Sequence, residues 1–334
     1  MGHVTRFSAA LSAATVLSAL PLAAQPAAPL PPGNVTVVVA FPAGGPLDTV
    51  TRILAEKIGT KYNRTIVIEN RAGAAGHVGG ASVARAEPNG LTWLMTLDSV
   101  WTVNPHLGAK PSYDPDTDLR FVGQVGQVIL MLAVHEKVPA KTWAELLAHS
   151  RTRSLNFGSA GIGAPGHLAF EYLKTVAPLD AVHVPFRGNA PAIQELLAGN
   201  IDGAFIAPGA MIGLVREGKI RGLAISDNKR FKPLPDVPSA PEAGLGDFQA
   251  RFSNLMAVPA KTPDAVRDWL RSEVTAVLGL PDVVTRLEAL GTEPLVTGEA
   301  ETRAWVAAEK ERWGKVVQAR GLKAEAPAAA PPAK

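Results

Sequence analysis

The segment VTVVVAFPAGGPLD, residues 35–48, joins an unbroken run of β-branched and aliphatic residues to a turn that contains two glycines. A run without polar alternation is typical of a strand that is covered on both faces, as in a parallel sheet. Apolar residues then recur at helical spacing as far as Ile58, and Gly59 is a suitable helix stop. The segment therefore predicts a strand, a glycine loop and a helix, in that order.

The same order recurs in the second half of the chain. A predicted strand at 155–157 leads into the glycine loop GSAGIGAPG, residues 158–166, and then into an amphipathic helix over 167–176. Strands that alternate with helices predict parallel α/β sheets, and two such units predict two lobes with a ligand cleft between them. The predicted domains are residues 33–131 with a return over 253–322, and residues 132–252.

The two ends of the chain do not read as parts of the fold. Residues 1–24 have the three parts of a secretory signal: a basic start ending at Arg6, an apolar stretch over 7–22, and the small residues Ala23 and Ala24. Polar residues interrupt the apolar stretch, which argues against a membrane anchor. Residues 323–334 are rich in Ala and Pro and are predicted to be a disordered tail. We expect an exported, periplasmic protein.

Composition excludes several functional classes. The chain is 47% hydrophobic and 19% charged, which is typical of a globular protein, and its net charge of +3 is not concentrated in basic runs, which argues against nucleic-acid binding. There is no cysteine, and the seven histidines show no spacing typical of metal ligands. We therefore predict no metal, no cofactor and no thiolate chemistry.

The first glycine loop predicts an anion site. Gly44 and Gly45 precede Pro46, which suits the first position of a helix because its missing N–H has no helical partner there. The N–H groups of Leu47 and Asp48 are then free to bind a carboxylate or phosphate at the positive end of the helix dipole. The alternative is that the glycines form only a tight turn.

The second glycine loop offers a hydroxyl and a second helix start. Ser159 and His167 are candidate ligand contacts, although His167 is equally suited to hold the loop in place. Arg187 follows the strand predicted at 181–185 and is a candidate partner for a carboxylate, or forms an ordinary ion pair. Trp101 is a candidate pocket wall or a core residue. The loop also matches GxGxxG, the fingerprint of dinucleotide-binding sites. No acidic residue follows the next strand to bind a ribose, which argues against a dinucleotide.

Several segments in a fixed order resemble the Bug-type extracytoplasmic solute receptors, the binding proteins of tripartite tricarboxylate transport systems. The resemblance extends over almost the whole mature chain. Its segments are FPAGGPLD (41–48), ENRAGAAG (69–76), VNPHL (103–107), NFGSAGIGAPGHLA (156–169), HVPFRGNAPAI (183–193), LPDVPSAPEAGL (234–245) and VPAKTP (258–263).

The resemblance implies a two-domain periplasmic-binding-protein fold, type II-like, that closes on a small carboxylate through the two glycine loops. Ligand-binding residues carried over from the family pattern are Ala43, Gly44, Gly45, Asp48, Ser159, Ala160 and His167. This chain has Ile206 and Ala207 where many members carry an acidic residue and Asn, and it has Trp101 where smaller or polar residues are common. These departures favour an uncharged or aromatic carboxylate over an amino acid.

The sequence thus predicts an exported, monomeric solute receptor that performs no chemistry. It would bind a small organic carboxylate and deliver it to the membrane subunits of a tripartite tricarboxylate-type transporter. Two alternatives stay open at this point. One is an exported α/β hydrolase that uses Ser159 and His167, and the other is a ligand-binding component of a sensor.

Overall fold

A computed structural model describes residues 29–108 and 111–323. The signal predicted at 1–24 and the tail from residue 324 onward lie outside these ranges. The strands are β1 (Val35–Val39), β2 (Ile66–Asn70), β3 (Thr92–Leu97), β4 (Leu119–Val128), β5 (Met131–His135), β6 (Leu155–Ser159), β7 (Ala181–Pro185), β8 (Gly203–Ile206), β9 (Ile220–Ile225), β10 (Phe252–Pro259) and β11 (Thr292–Glu293). The helices are α1 (Pro46–Tyr62), α2 (His77–Ala84), α3 (Ser99–Thr102), α4 (Pro115–Asp118), α5 (Trp143–Ser150), α6 (Pro165–Val176), α7 (Asn189–Ala198), α8 (Ile212–Arg216), α9 (Asp264–Leu278), α10 (Pro281–Ala289) and α11 (Glu299–Arg320).

The strands form two mixed sheets, with the orders β11-β4-β10-β3-β1-β2 and β7-β6-β8-β5-β9. We call the six-stranded sheet with the helices packed on it the first lobe, and the five-stranded sheet with its helices the second lobe. β1 runs parallel to β2 and β3, and β6 runs parallel to β7 and β8. β10 and β5, however, run antiparallel to both of their neighbours. These two strands depart from the predicted parallel arrangement because the chain enters them from the other lobe, without a helical crossover on the same sheet.

The chain crosses between the lobes at two neighbouring connections. Residues 129 and 130 join β4 to β5, and residues 226–251 join β9 to β10. Ser226 links the two connections, since its Oγ accepts a hydrogen bond from the N–H of Leu130 and donates one to the carbonyl of Ala250, both at 2.9 Å. The crossings therefore lie side by side, as a hinge between lobes requires. The predicted domain boundaries stay predictions.

Helix α1 packs its apolar side against β1 and α9. It runs to Tyr62, beyond the predicted stop at Gly59, and ends at Asn63, which has the left-handed φ of 47°. A Cβ at Gly59 would lie 2.9 Å from the carbonyl oxygen of Arg64, so the glycine serves the close return of the chain and not the helix end. This packing leaves the first turn of α1 at the carboxyl end of β1.

Helix α11 packs on both lobes. Val306 belongs to the core of the first lobe, whereas the ring of Trp313 lies edge-on to Tyr172 of the second lobe, with 6.0 Å between the centroids. Arg320 Nε donates to Glu171 Oε2 of α6 at 2.8 Å. Of the helices in the described ranges, none combines the length and the apolar character that a membrane span needs.

Candidate functional site

A cavity of about 190 Å³ lies between the two lobes. Pockets that bind drug-sized ligands have volumes of about 300–1,000 Å³, so this cavity suits a smaller molecule. Within the described ranges, the only charged side chain in its lining is that of Arg187. The lining residues are Phe41, Pro42, Ala43, Gly44, Gly45, Pro46, Leu47, Leu97, Val128, Leu130, Ala160, Ala164, Pro165, Gly166, Arg187, Gly188, Asn189, Ala190, Pro191, Phe205, Ala207 and Asn254.

The start of α1 forms one wall of the cavity. Its N-cap is Gly45, which has no side chain to bond the first turn, and Pro46 begins the helix as predicted. Among the described residues, no acceptor lies within hydrogen-bond distance of the N–H groups of Leu47 and Asp48. A helix of 17 residues thus presents free donors and its positive dipole end to the cavity.

A charged network behind this wall holds the first loop. Asp48 Oδ2 accepts from the N–H of Gly44 at 3.0 Å and from Arg52 Nε at 2.9 Å, while its Oδ1 accepts from Asn70 Nδ2 at 3.0 Å. Burial raises the pKa of Asp48, but the hydrogen bonds from Arg52, Gly44 and Asn70 outweigh it and leave the pKa below its ordinary value. Asp48 is therefore an ionised residue that fixes the loop.

The second loop brings the start of α6 to the opposite wall. Ala164 is the N-cap, again without a side-chain bond, and Pro165 is the first residue of the helix. In this part of the structure too, no described acceptor reaches the N–H groups of Gly166 and His167. The two glycine loops therefore share one local design, with a proline in the first turn and a capping residue that leaves the donors free.

Neutral groups hold the second loop. Ser159 Oγ lies 2.6 Å from His183 Nε2 and accepts from the N–H of Gly161 at 3.2 Å. His167 Nδ1 accepts from the N–H of Gly163 at 3.1 Å, which requires this nitrogen to be unprotonated. The rings of His167 and His183 lie 4.2 Å apart.

Burial sets the charge state of this histidine pair. It lowers the pKa of His167, and, together with the neighbouring His167, it lowers the pKa of His183 to about 3. Both rings are therefore neutral at physiological pH. The second loop rests on hydrogen bonds between neutral groups, whereas the first rests on an ion pair.

A third helix start, which sequence reasoning missed, also lines the cavity. Helix α7 begins at Asn189 behind Gly188, an N-cap with φ of 114° and no side-chain bond. Pro191 lies in its first turn, where proline is tolerated because the N–H would be unpaired. A glycine three residues before a proline is the signal that could have placed this start.

Arg187 stands directly before this third helix start. Its side chain is exposed, and no carboxylate of the described residues lies within ion-pair distance of it. The reading of Arg187 as one half of an ordinary ion pair is therefore not supported. The cavity joins an unpaired guanidinium to three uncapped helix starts.

The sequence model of the family described as "Tripartite tricarboxylate transporter family receptor" matches residues 50–322. The chain belongs to this family. Three solved structures resemble it closely in fold. "R. palustris Rpa4515 with adipate" is 30% identical with a TM-score of 0.82, covering 87% of this chain and 98% of that chain. "Periplasmic binding protein BugD" is 30% identical with a TM-score of 0.80, covering 87% and 99%. "MatC (Rpa3494) from Rhodopseudomonas palustris with bound malate" is 32% identical with a TM-score of 0.75, covering 85% and 98%.

These comparisons confirm the predicted family and the predicted two-lobed binding-protein fold. The receptor brings six of the predicted site residues into the cavity lining: Ala43, Gly44, Gly45, Leu47, Ala160 and Arg187. Asp48, Ser159 and His167 lie behind the lining and hold the two loops. Their direct contact with a ligand stays a prediction, and the contacts seen in the structure are those that position the loops.

Two further predicted contacts lie away from the cavity of the receptor. Trp101 is 2% exposed and packs on Phe121 in the core of the first lobe, with 4.7 Å between ring centroids. Ile206 is buried in the second lobe with Met131, because alternation along the strand turns it away from the cavity that Phe205 lines. Ile206 therefore does not contribute to the polarity of the cavity lining.

Sequence reasoning missed the floor of the cavity. Leu97, Val128, Leu130 and Asn254 come from the strand ends and crossings where the two lobes meet. The strands that supply them are buried along most of their length, so hydrophobic patterning does not distinguish their two faces. Only the pairing of β3, β4 and β10 brings these residues together.

Proposed function

We propose that this receptor captures a small organic carboxylate between its lobes and releases it chemically unchanged. One observation carries the proposal: the starts of α1, α6 and α7 and the unpaired Arg187 converge on a single cavity. Each uncapped helix start carries a partial positive charge of about half a unit and free N–H donors. Arginine adds a bidentate donor for carboxylates. The combination favours an anion with several oxygen acceptors.

The lining also argues against an amino acid as the ligand. An ammonium group needs a carboxylate or several acceptors, and no acidic side chain of the described residues lines the cavity. Two of the similar structures named above contain adipate and malate, which are carboxylates without an ammonium group. We therefore expect carboxylic acids of this kind, and not aspartate or glutamate, to bind.

A hydrolase is the weaker alternative. Ser159 is fully buried, does not line the cavity, and has its Oγ bonded within its own loop and to His183. No hydrogen bond orients His183 toward a carboxylate within the described ranges, whereas a catalytic triad requires one. His167, the base of the alternative hydrolase, accepts from a backbone N–H, and no hydrogen bond within the described ranges joins it to Ser159. These contacts indicate that Ser159 stabilises the loop, and they do not prepare it to act as a nucleophile.

Membership of the family supports the rest of the proposal. The receptor would act in the periplasm as a monomer and deliver its ligand to the membrane subunits of a tripartite tricarboxylate transporter. The signal predicted at 1–24 is the expected route of export. The same cavity would serve a sensor component, and a genomic neighbourhood without the small and large membrane subunits would favour that alternative.

A thermal-shift screen of the purified protein tests the proposal. A ligand that binds only the folded state raises the melting temperature, so glutarate, adipate, malate, hexanoate and benzoate are compared with glutamate and with the neutral diamide of adipic acid. We expect a rise with at least one carboxylate, none with the diamide, and recovery of the intact ligand on mass spectrometry. A rise with the diamide, or conversion of the ligand, would contradict the proposal.

A further inference from the structure

The floor of the cavity contains one polar side chain whose hydrogen-bonding capacity is unused. Asn254 of β10 is 0% exposed, and neither its Nδ2 nor its Oδ1 has a hydrogen-bond partner among the described residues. Leaving a buried amide unpaired costs about 1–3 kcal/mol per group. An asparagine at this position is therefore unfavourable unless a further molecule bonds to it.

Strand pairing places this side chain on the cavity side of the sheet. Asn254 lies directly opposite Leu97 of the antiparallel strand β3, and directly opposed residues share one face. Both residues line the cavity. On the other neighbour, β4, Asn254 faces Gly126, and Nδ2 lies 3.8 Å from where a Cβ of that glycine would stand. The amide therefore lies beside the backbone of Gly126 at the cavity floor.

The surroundings of Asn254 differ from those of Arg187. The neighbouring floor residues Leu97, Val128 and Leu130 are apolar, and each is at most 5% exposed. Arg187 lies on the exposed rim of the cavity and provides its only charge within the described ranges. The cavity thus has a cationic rim and a neutral floor with a single amide.

We infer that Asn254 recognises an uncharged hydroxyl or carbonyl group of the ligand, at a position distant from the ligand's carboxylate. The inference rests on the proposed function. An amide has two donors and an acceptor, so it satisfies a hydroxyl or a carbonyl fully. A second carboxylate on this floor would lose its hydration without meeting a cation, which is far more costly than burying a neutral group. The ligand class is hydroxy- and oxo-substituted monocarboxylates.

Matched pairs of acids test this assignment by isothermal titration. The pairs are butyrate with 4-hydroxybutyrate, hexanoate with 6-hydroxyhexanoate, and benzoate with 4-hydroxybenzoate. In the wild-type receptor, we expect the hydroxy acid of at least one pair to bind about tenfold more tightly than its parent, the net effect of one hydrogen bond. In Asn254→Leu, which keeps a branched side chain of similar shape, this preference should fall to within about twofold.

Asn254→Ala is the second variant, because it cannot overpack the floor, and it should lose the same preference. In both variants the parent acids should bind at least as well as in the wild type, since no buried amide is left unpaired. A hydroxyl preference that survives in both variants, or its absence from every wild-type pair, would overturn the assignment. If neither the parent acids nor any carboxylate of the thermal-shift screen binds, the proposed function falls. If carboxylates bind but no hydroxyl preference appears, only the role of Asn254 falls.

Discussion

The two glycine loops present the same donors to the cavity, yet different chemistry holds them in place. In the first loop, ionised Asp48 bonds to the N–H of Gly44 and to Arg52, whose side chain is 53% exposed. In the second, buried Ser159 and His167 and half-buried His183 make the equivalent contacts as neutral groups. The comparison shows that a free helix start can be fixed by an ion pair or by neutral hydrogen bonds.

The difference has a consequence for pH dependence. Ionised Asp48, whose pKa is lowered in the fold, stabilises the first loop above the ordinary range of its carboxyl group and loses this effect as the pH falls through its folded pKa. The neutral histidines lose stability earlier on acidification, as the pH falls below the ordinary histidine pKa of about 6.5. We therefore expect acid to affect the second loop first.

The largest expected effect comes from placing an acid at either capping position. Gly45→Asp and Ala164→Asp would each let a side-chain oxygen bond the first turn of its own helix and place a negative charge at the cavity. We expect carboxylate affinity to fall by at least about 100-fold in both, because donors are lost and charges repel. Isothermal titration measures this loss.

Gly45→Ala is the control for the first of these variants, because a Cβ there meets nothing nearer than 3.8 Å. It should lose much less affinity than Gly45→Asp. If only one of the two aspartate variants lost affinity, the loops would not act together.

Removing the rim charge has the next largest effect. Arg187→Gln should weaken carboxylate binding by about 10- to 30-fold, the size of a hydrogen bond between charged groups. The loss should shrink in titrations at high salt, which screens the exposed guanidinium. Arg151→Gln, at another exposed arginine that does not line the cavity, is the matched control and should bind normally. Equal losses of affinity in the two variants would show that Arg187 does not bind the carboxylate.

Neutralising the support of the first loop has a smaller effect. Asp48→Asn keeps the shape of the side chain but ends its ion pair with Arg52, so we expect a loss of about three- to tenfold in affinity. At pH 7 the melting temperature should also fall, and the difference from wild type should narrow only as the pH falls below the ordinary carboxyl pKa of 3.8. An unchanged affinity would show that the loop holds its shape without the charge.

The smallest effect on binding is expected in the second loop. His183→Gln retains an amide nitrogen near Ser159 but does not titrate, so affinity at pH 7 should stay within about twofold of wild type. Because the folded pKa of His183 is about 3, unfolded chains take up a proton that folded chains refuse between that pH and about 6.5. The fall in melting temperature between pH 7 and pH 5 should therefore be smaller in the variant. A fall as large as in wild type would contradict the assigned pKa.

Local features were predictable from the sequence where local chemistry decides them. The bounds of β7 agree with the strand predicted at 181–185. The start of α1 at Pro46 was also predicted, because the fixed φ of proline and the free first-turn donors are properties of a few adjacent residues. Helix α6 begins at Pro165, two residues before its predicted start.

The cavity floor and the facing of single residues could not be predicted. All eight residues of β10 are buried, so the pattern contains no alternation to show that Asn254 faces the cavity. Ile206 and Trp101 are apolar residues near the cleft, and only strand register and packing show that they face cores instead. Such facts depend on contacts between distant segments, and a single sequence does not encode these in any local pattern.

The central claim is that one carboxylate engages helix starts from both lobes at once. Amide chemical shifts test this claim most directly. With leucine, glycine and alanine labelled with ¹⁵N, the amides of Leu47, Gly166 and Ala190 are observed during titration with the carboxylate that gives the largest thermal shift. We predict that all three amide protons shift downfield at one common affinity, as donors do when they bond to an anion. Shifts confined to one lobe, or unequal affinities at the three amides, would contradict the account.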